Sequence, residues 1–266
     1  MIKKLILNDI RENRLMSAAA VFFMTASAML VSLAVMLLFD LIGAESILAE
    51  RSVTPDLMQM HSGEINEKEL RAFVSECDDV LDMQICRFLN LANSSISLGG
   101  RSLADSTQDN GLSVQSERFD YMLGMDGRLP DVRRGQVFVP VCYKKMYGIS
   151  VGDIMTIGEK ELVIAGFMRD PQMNSMLASS KRFLVDAEDY AELYSFGDEE
   201  YMIEFLLTEA ADINAFSTAY AEAGLPKYPE GQRSACLWKR EITGYFPLNI
   251  PRGDIPKRTA RSHFHR

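Results

Sequence analysis

Cysteine, histidine and tryptophan are scarce: the 266 residues hold four, three and one of them. No Cys-x-x-Cys occurs, which excludes a zinc ribbon or a thioredoxin-type dithiol. Cys77 and Cys86 could pair outside the cell, yet Cys77 ends a helical pattern, and buried free thiols fit the sequence equally well. Cys142 and Cys236 have no evident mates. Of the three histidines, only His61 lies in the middle of the chain, so a histidine-based catalytic site there would rest on a single imidazole. No Gly-x-x-x-x-Gly-Lys-Ser/Thr loop is present to cradle phosphates, and His-Glu-x-x-His and Gly-x-Ser-x-Gly are absent as well. The adjacent carboxylates Asp78-Asp79 and Glu199-Glu200 read as surface charge, because neighbours on a strand point to opposite faces. No catalytic residue, cofactor site or metal site is expected, and the chain does not read as an enzyme.

Charge is lacking in one place above all. Ser17 to Phe39, SAAAVFFMTASAMLVSLAVMLLF, runs 23 residues without a charged side chain, although 24% of the whole chain is charged. A helix of that length reaches roughly 34 Å, enough for a hydrocarbon core of about 30 Å, whereas the apolar part of a signal peptide spans about 7 to 15 residues. Ala26-Ser27-Ala28 looks like a cleavage site, but cutting there would leave eleven mostly apolar residues at the new terminus. The run therefore predicts a transmembrane helix over 15-42. Lys3, Lys4, Arg11 and Arg14 precede it, and Asp40, Glu45 and Glu50 follow with only Arg51 opposing them. This asymmetry predicts a cell-membrane protein with its N-terminus inside and its main domain outside. Ile2, Leu5, Ile6 and Ile10 fall at helical spacing in the cytoplasmic segment 1-14, which reads either as an interfacial amphipathic helix on membrane lipid or as a basic flank that sets topology.

Residues 40-226 hold 15 basic and 32 acidic side chains, whereas 227-266 hold nine basic and three acidic. The acidic middle argues against nucleic acid or anionic lipid as its partner. The last 40 residues carry four prolines, the only tryptophan and the pair His263 and His265, with no sustained helix or strand period. They read as a disordered or foreign tail; two histidines without further ligands make a poor metal site. Met58, Met60 and His61 offer soft copper ligands just beyond the span, although ordinary packing accounts for the methionines.

The segment 43-226 is long enough for its own core, and its pattern is mixed. Asn66 followed by Glu69 marks a helix start, with Leu70, Phe73, Val74 and Cys77 on one face. Val80 to Leu91 reads as a strand or strand pair, and a hairpin turns at Gly99-Gly100. A β segment over Val137 to Pro140 precedes a helical turn over Cys142 to Tyr147 that ends at Gly148. Ile154 to Ile157 then pairs with Leu162 to Phe167 across Gly158-Glu159-Lys160. Further on come a strand over KRFLVD, a capped helix over Asp186 to Tyr194, a strand over YMIEFLLT and a helix from Asp212 closed by Gly224. Interleaved helices and short hairpins predict an α+β domain.

The order Gly127-Arg128-Leu129-Pro130, a Val-x-Val-Pro strand ending at Pro140, YGISVGD with Gly148, Gly152 and Asp153, and VIAGF with Gly166 resembles the MacB-like extracytoplasmic core domain of FtsX-like ABC transporter permeases. RDPQMNSMLASSKRFLV is similar to Gram-positive members in particular. The resemblance covers roughly residues 1 to 225. It implies a permease subunit that works with a separate cytoplasmic ABC ATPase, with Ile2, Leu5, Ile6 and Ile10 as its candidate contact, and with a second permease subunit or a second copy of itself. In such permeases further spans follow the outer domain. Here the basic tail stands where the second span would begin, so a truncated or frame-shifted permease is expected. The alternative is a single-pass anchored sensor or ligand-binding module acting without ATP. From the residues alone, Gly152-Asp153 reads as a turn launching a strand, and Arg128 as a solvated or salt-bridged side chain.

Overall fold

The computed structural model describes residues 13-175 and 178-226. The chain divides into two units between Ile47 and Leu48.

Helix α1 runs from Arg14 to Ser52, 39 residues or about 58 Å at 1.5 Å per residue. Its most apolar stretch is long and apolar enough to cross a membrane, and none of that stretch is buried. Phe22, Phe23, Leu30 and Met36 are each more than half exposed. In a soluble protein such a surface would have to be covered; lipid covers it without further cost. The helix continues ten residues beyond the expected end of the span at Ile42, and its last five residues, Leu48 to Ser52, belong to the second unit.

The second unit is α+β. Its strands are β1 (Leu57–Ser62), β2 (Val80–Leu91), β3 (Ile96–Leu98), β4 (Arg101–Ser102), β5 (Asp109–Ser113), β6 (Leu123–Gly124), β7 (Gln136–Pro140), β8 (Ile154–Ile157), β9 (Lys160–Arg169), β10 (Ser180–Val185) and β11 (Gly197–Leu207). They form one mixed sheet in the order β1-β11-β2-β5-β10-β7-β9-β8-β3-β4, with β6 paired to β9. Among the described strands, only the β5/β10 and β7/β9 pairs are parallel. The helices are α2 (Glu67–Ser75), α3 (Val141–Tyr147), α4 (Ala187–Leu193) and α5 (Ile213–Glu222).

Local chemistry sets these boundaries. Asn66 Oδ1 accepts from Glu69 N at 3.4 Å and starts α2, Asp186 Oδ1 accepts from Glu188 N at 2.8 Å before α4, and Asp212 Oδ1 accepts from Asn214 N at 2.9 Å before α5. Each supplies an acceptor to an N–H that has no partner within its helix. Gly148, at φ 62°, ends α3 in the left-handed conformation. Gly99 and Gly100 both have positive φ and turn β3 into β4, as the type I′ hairpin requires. In the β8/β9 hairpin Lys160 already pairs with Ile157. The turn is therefore Gly158-Glu159, with glycine at its first position, and not the three residues expected. Val80 to Leu91 is one strand, paired along its length with β11.

The two sheet faces are covered differently. Leu89, Leu112, Val137, Ile164 and Phe183 pack with Tyr143 of α3 and Tyr190 and Leu193 of α4. On the same face, Leu57, Met83, Ile203 and Phe205 pack with Leu70 of α2 and Phe216 and Tyr220 of α5. Strand alternation and the pairing register place Met58, Met60, Gln84, Cys86, Phe88, Arg182, Met202 and Glu204 on the opposite face. Among the described residues no helix covers that face; the segments around residues 119-122 and 170-173 do, through Phe119, Asp120, Asp170, Gln172 and Met173.

Of the two readings left open for Cys77 and Cys86, the free thiols hold: Cys77 packs on the helix-covered face and Cys86 lies on the other, so the sheet separates them. One expectation is corrected. Glu199 and Glu200 do point to opposite faces, but neither is plain surface charge. Glu199 accepts from Tyr190 Oη and Tyr201 Oη, and the buried Glu200 accepts from Asn90 Nδ2 at 3.0 Å.

Candidate coupling site

The junction between α1 and the domain is built by backbone hydrogen bonds. Tyr121 N donates to Ser52 O at 2.8 Å, and Asp120 N donates to Val53 O at 3.0 Å. Just beyond, Asp56 N donates to Phe205 O and Asp56 Oδ2 accepts from Leu207 N, both at 2.8 Å. Val53 has φ 50° and Asp120 has φ 56°; among the described residues these are the non-glycine positions with positive φ. Aspartate tolerates that region, but a β-branched valine there is strained by roughly 1–2 kcal/mol. Strain of this kind persists only where the surroundings fix it, and here the strained Val53 shares a hydrogen bond with the other positive-φ residue, Asp120.

Asp120 carries the junction into the interior. Its Oδ2 accepts from Arg182 Nη1 at 2.7 Å, while Arg182 Nε and Nη2 form a two-pronged pair with Asp170 at 2.6 Å each. All three side chains are at most 1% exposed. Arg182 holds its proton firmly because two carboxylates flank it, outweighing its desolvation. Asp170 is desolvated too, but Arg182 and the N–H groups of Gln172 and Met173 hold its carboxyl below its ordinary 3.8.

Glu204, also fully buried, lies alongside. Its Oε2 accepts from Gln84 Nε2 at 2.7 Å and its Oε1 from Gln172 Nε2 at 2.8 Å. Gln84 Nε2 also reaches Phe119 O at 3.0 Å, one residue before Asp120. Desolvation and the Asp120 charge push the Glu204 carboxyl well above its ordinary 4.5. Lys181, next to Arg182, is buried as well. Its Nζ donates to the carbonyls of Met173, Ser175, Ala178 and Ser180, between 2.7 and 3.3 Å. Burial lowers its pKa, and the four carbonyls replace the lost water. Two neighbouring cations on β10 thus pin the 170-180 segment, one through Asp170 and one through its backbone.

The residues singled out from sequence occupy other places. Ile2, Leu5, Ile6 and Ile10, the tail with His263 and His265, and Cys236 lie outside the described residues. Gly127 sits in the turn after β6 at φ 75°, where a Cβ would fall 2.7 Å from Arg51 Nη1. This brings the Gly127-Pro130 stretch beside the end of α1. Arg128 is exposed and its carbonyl accepts from Gly124 N. Pro140 ends β7 and precedes α3. Gly166 faces Phe138, whose ring leaves no room for a Cβ. Gly152 N donates to Ile164 O, and Asp153 Oδ2 accepts from Ser150 N at 2.8 Å, closing the turn into β8. These residues do not converge on one point; each fixes a turn or a close strand contact. His61 falls on the sheet face opposite Met58 and Met60, so the three do not converge on a copper ion.

Sequence reasoning passed over Asp120, Asp170, Lys181, Arg182 and Glu204. An available indication was charge inside apolar strands: Glu204 lies between Ile203 and Phe205, and Lys181-Arg182 opens a strand whose every residue is buried.

No protein-family pattern and no curated protein matches the sequence. Among solved structures, the periplasmic region of MacB from Actinobacillus actinomycetemcomitans is similar, with a TM-score of 0.38, 10% identity, and coverage of 65% of this chain and 86% of that one. A domain assigned to a permease protein from Porphyromonas gingivalis is similar with a TM-score of 0.34, 14% identity, and coverage of 62% and 80%.

Proposed function

We propose that this protein is a permease subunit of an ABC transporter, in which a separate cytoplasmic ATPase drives movement of an extracytoplasmic domain through helix α1. The substrates of this reading are peptides, lipids or antibiotics that are exported or extracted from the membrane. The N-terminus lies inside, with Ile2, Leu5, Ile6 and Ile10 toward the ATPase, and a second permease subunit or a second copy completes the membrane unit.

The observation that carries the reading is the junction. The helix long and apolar enough to span the bilayer continues to Ser52, and its last five residues, Leu48 to Ser52, belong to the domain's own unit, where Ser52 O accepts from Tyr121 N and the following Val53 O from Asp120 N. A tethered binding module needs only an anchor, and a Gly/Ser-rich linker would serve it. A subunit that transmits motion needs the helix of its span to continue into the domain. The motif order from Gly127 to Gly166 supports the same assignment.

The test is purification of the full chain from its native membrane in mild detergent, with mass spectrometry of what accompanies it. An ABC ATPase recovered in stoichiometric amount, and lost when Ile2, Leu5, Ile6 and Ile10 are replaced by serine, is the expected result. Recovery of the chain without any such ATPase would sink the permease reading in favour of an anchored sensor or binding module.

A further inference from the structure

We propose that the cleft between α2 and the first residues of β2 is a binding site for a single-chain amphiphile with an acidic headgroup, its alkyl chain on Leu81 and its headgroup between Arg71 and Arg118. The inference rests on the cleft and not on the transporter reading; an anchored binding module would hold the same site.

The cleft has its origin in the strand pairing. Leu206 of β11 pairs with Asp82 and Leu207 with Val80, so Leu81 is an extra residue on β2, a β-bulge. A bulge re-aims a side chain, and this one turns a leucine outward: Leu81 is 56% exposed and lines a cavity of about 280 Å³. Val74 of α2 and Val80 and Met83 of β2 line it too, and all three pack in the apolar layer under α2 and α5. The base of the cavity is therefore the domain's own core, and its exposed apolar wall is Leu81. Pockets for drug-sized ligands run from about 300 Å³ upward, so this one admits part of one alkyl chain and not two.

The rim supplies the headgroup chemistry. Residues 40-226 hold 15 basic and 32 acidic side chains, yet this cavity is lined by two arginines and one acid. That acid, Asp82, is engaged by Arg118 Nη2, while Arg118 Nη1 donates to Met83 O at 3.2 Å. The two contacts fix the Arg118 guanidinium against the strand. Arg71 is paired with Glu67, four residues earlier on α2, at 3.3 Å, and an exposed helix pair of this kind holds it weakly. The remaining N–H groups of both guanidinia have no protein acceptor among the described residues. One anchored and one loosely held guanidinium beside an apolar cavity suit a carboxylate or phosphate that carries a hydrocarbon tail. The place favours an amphiphile drawn from the bilayer over a soluble peptide. Tyr121 Oη donates to Arg118 O at 2.8 Å, and Tyr121 N donates to Ser52 O, so the cleft adjoins the point where the chain arrives from α1. The domain's overall acidity opposes docking on an anionic bilayer surface, but a single molecule with one acidic group meets the two arginines instead.

The experiment uses the full chain in phosphatidylcholine nanodiscs and a photoreactive hexadecanoic acid with a diazirine in its chain, compared with the matching hexadecanol. Cross-linked peptides are mapped by mass spectrometry. The acid should label the peptide from Val74 to Met83 roughly tenfold more than the alcohol does, whereas both label the apolar stretch of α1 alike. Leu81→Asn and Arg71→Gln should each cut labelling of that peptide severalfold and leave labelling of α1 unchanged. Arg71 is exposed on α2, so Arg71→Gln keeps the test open should Arg118→Gln fail to fold. Labelling confined to α1, equal labelling of the cleft by acid and alcohol, or labelling that survives Arg71→Gln undiminished overturns the proposal. No readout needs an ATPase, so failure here is distinguishable from failure of the permease reading.

Discussion

Asp120 donates its backbone N–H to the carbonyl of Val53 at 3.0 Å, and both residues hold positive φ. One lies just past the last turn of the 39-residue helix α1; the other, on a covering segment, reaches Arg182 in the sheet through its side chain. A displacement of the helix end therefore acts on a buried ion pair within two hydrogen bonds. Val53 and Asp120 are the positive-φ positions among the described non-glycine residues, and the β-branched valine is the strained one.

Val53→Gly tests whether that strain belongs to stability or to coupling. Glycine removes roughly 1–2 kcal/mol of left-handed strain but adds about 0.5–1 kcal/mol of unfolded-state entropy. Chemical denaturation of the outer domain should therefore change by less than about 1 kcal/mol. Exchange at Tyr121 N–H, by contrast, should rise, because the joint becomes loose. Val53→Pro cannot adopt φ 50° and also loses the bond from Val53 N to Glu50 O. It should be destabilising where Val53→Gly is not, and similar unfolding midpoints for the two variants would contradict the strain argument.

Arg182→Met leaves Asp120 and Asp170 buried without their cation. Breaking a buried pair from one side costs about 3–5 kcal/mol, which approaches the whole stability of an ordinary domain. Arg182→Lys keeps the charge but not the fork that grips Asp170 through two nitrogens, so an intermediate loss is expected. Urea unfolding of the three proteins should rank wild type, lysine, methionine, and equal midpoints for the two variants would show that the bidentate geometry adds nothing.

Helix starts and hairpins were legible because their causes are local. Asn66, Asp186 and Asp212 each accept from an N–H two or three residues on, and Gly99-Gly100 turns a chain that needs two positive φ values in succession. The site was not legible, because its causes are distant. In YMIEF the pattern places Met202 and Glu204 on one face and Tyr201, Ile203 and Phe205 on the other, which looks like a half-solvated strand. Only the segments around 120 and 170, some 85 and 35 residues away, bury Glu204. The sheet itself decides between the two readings of Cys77 and Cys86 that the sequence left open, by placing them on opposite faces.

Stability against pH should have its maximum in mild acid. Asp170 is held below its ordinary 3.8, so its contribution is complete above that value and is lost as pH falls further. Glu204 is held above its ordinary 4.5, so its contribution is complete below that value and is lost as pH rises toward the folded-state pKa. The difference in unfolding free energy between wild type and Glu204→Gln isolates the second effect, with a slope of up to about 1.4 kcal/mol per pH unit. A pH-independent difference between pH 5 and 8 would mean that Glu204 titrates at its ordinary value.

Lys181→Met separates the two anchors of the 170-180 segment. Methionine fills similar apolar space but offers no donors to the carbonyls of Met173, Ser175, Ala178 and Ser180. Buried acceptors left without partners cost about 1–3 kcal/mol between them, less where water enters. Because Arg182 still grips Asp170 at the other end of the segment, the damage should remain local: limited proteolysis within 173-180 accelerates while the sheet unfolds at nearly the same urea concentration. An equal fall in both would instead make Lys181 part of the global core, and the segment would then be no separate unit of opening.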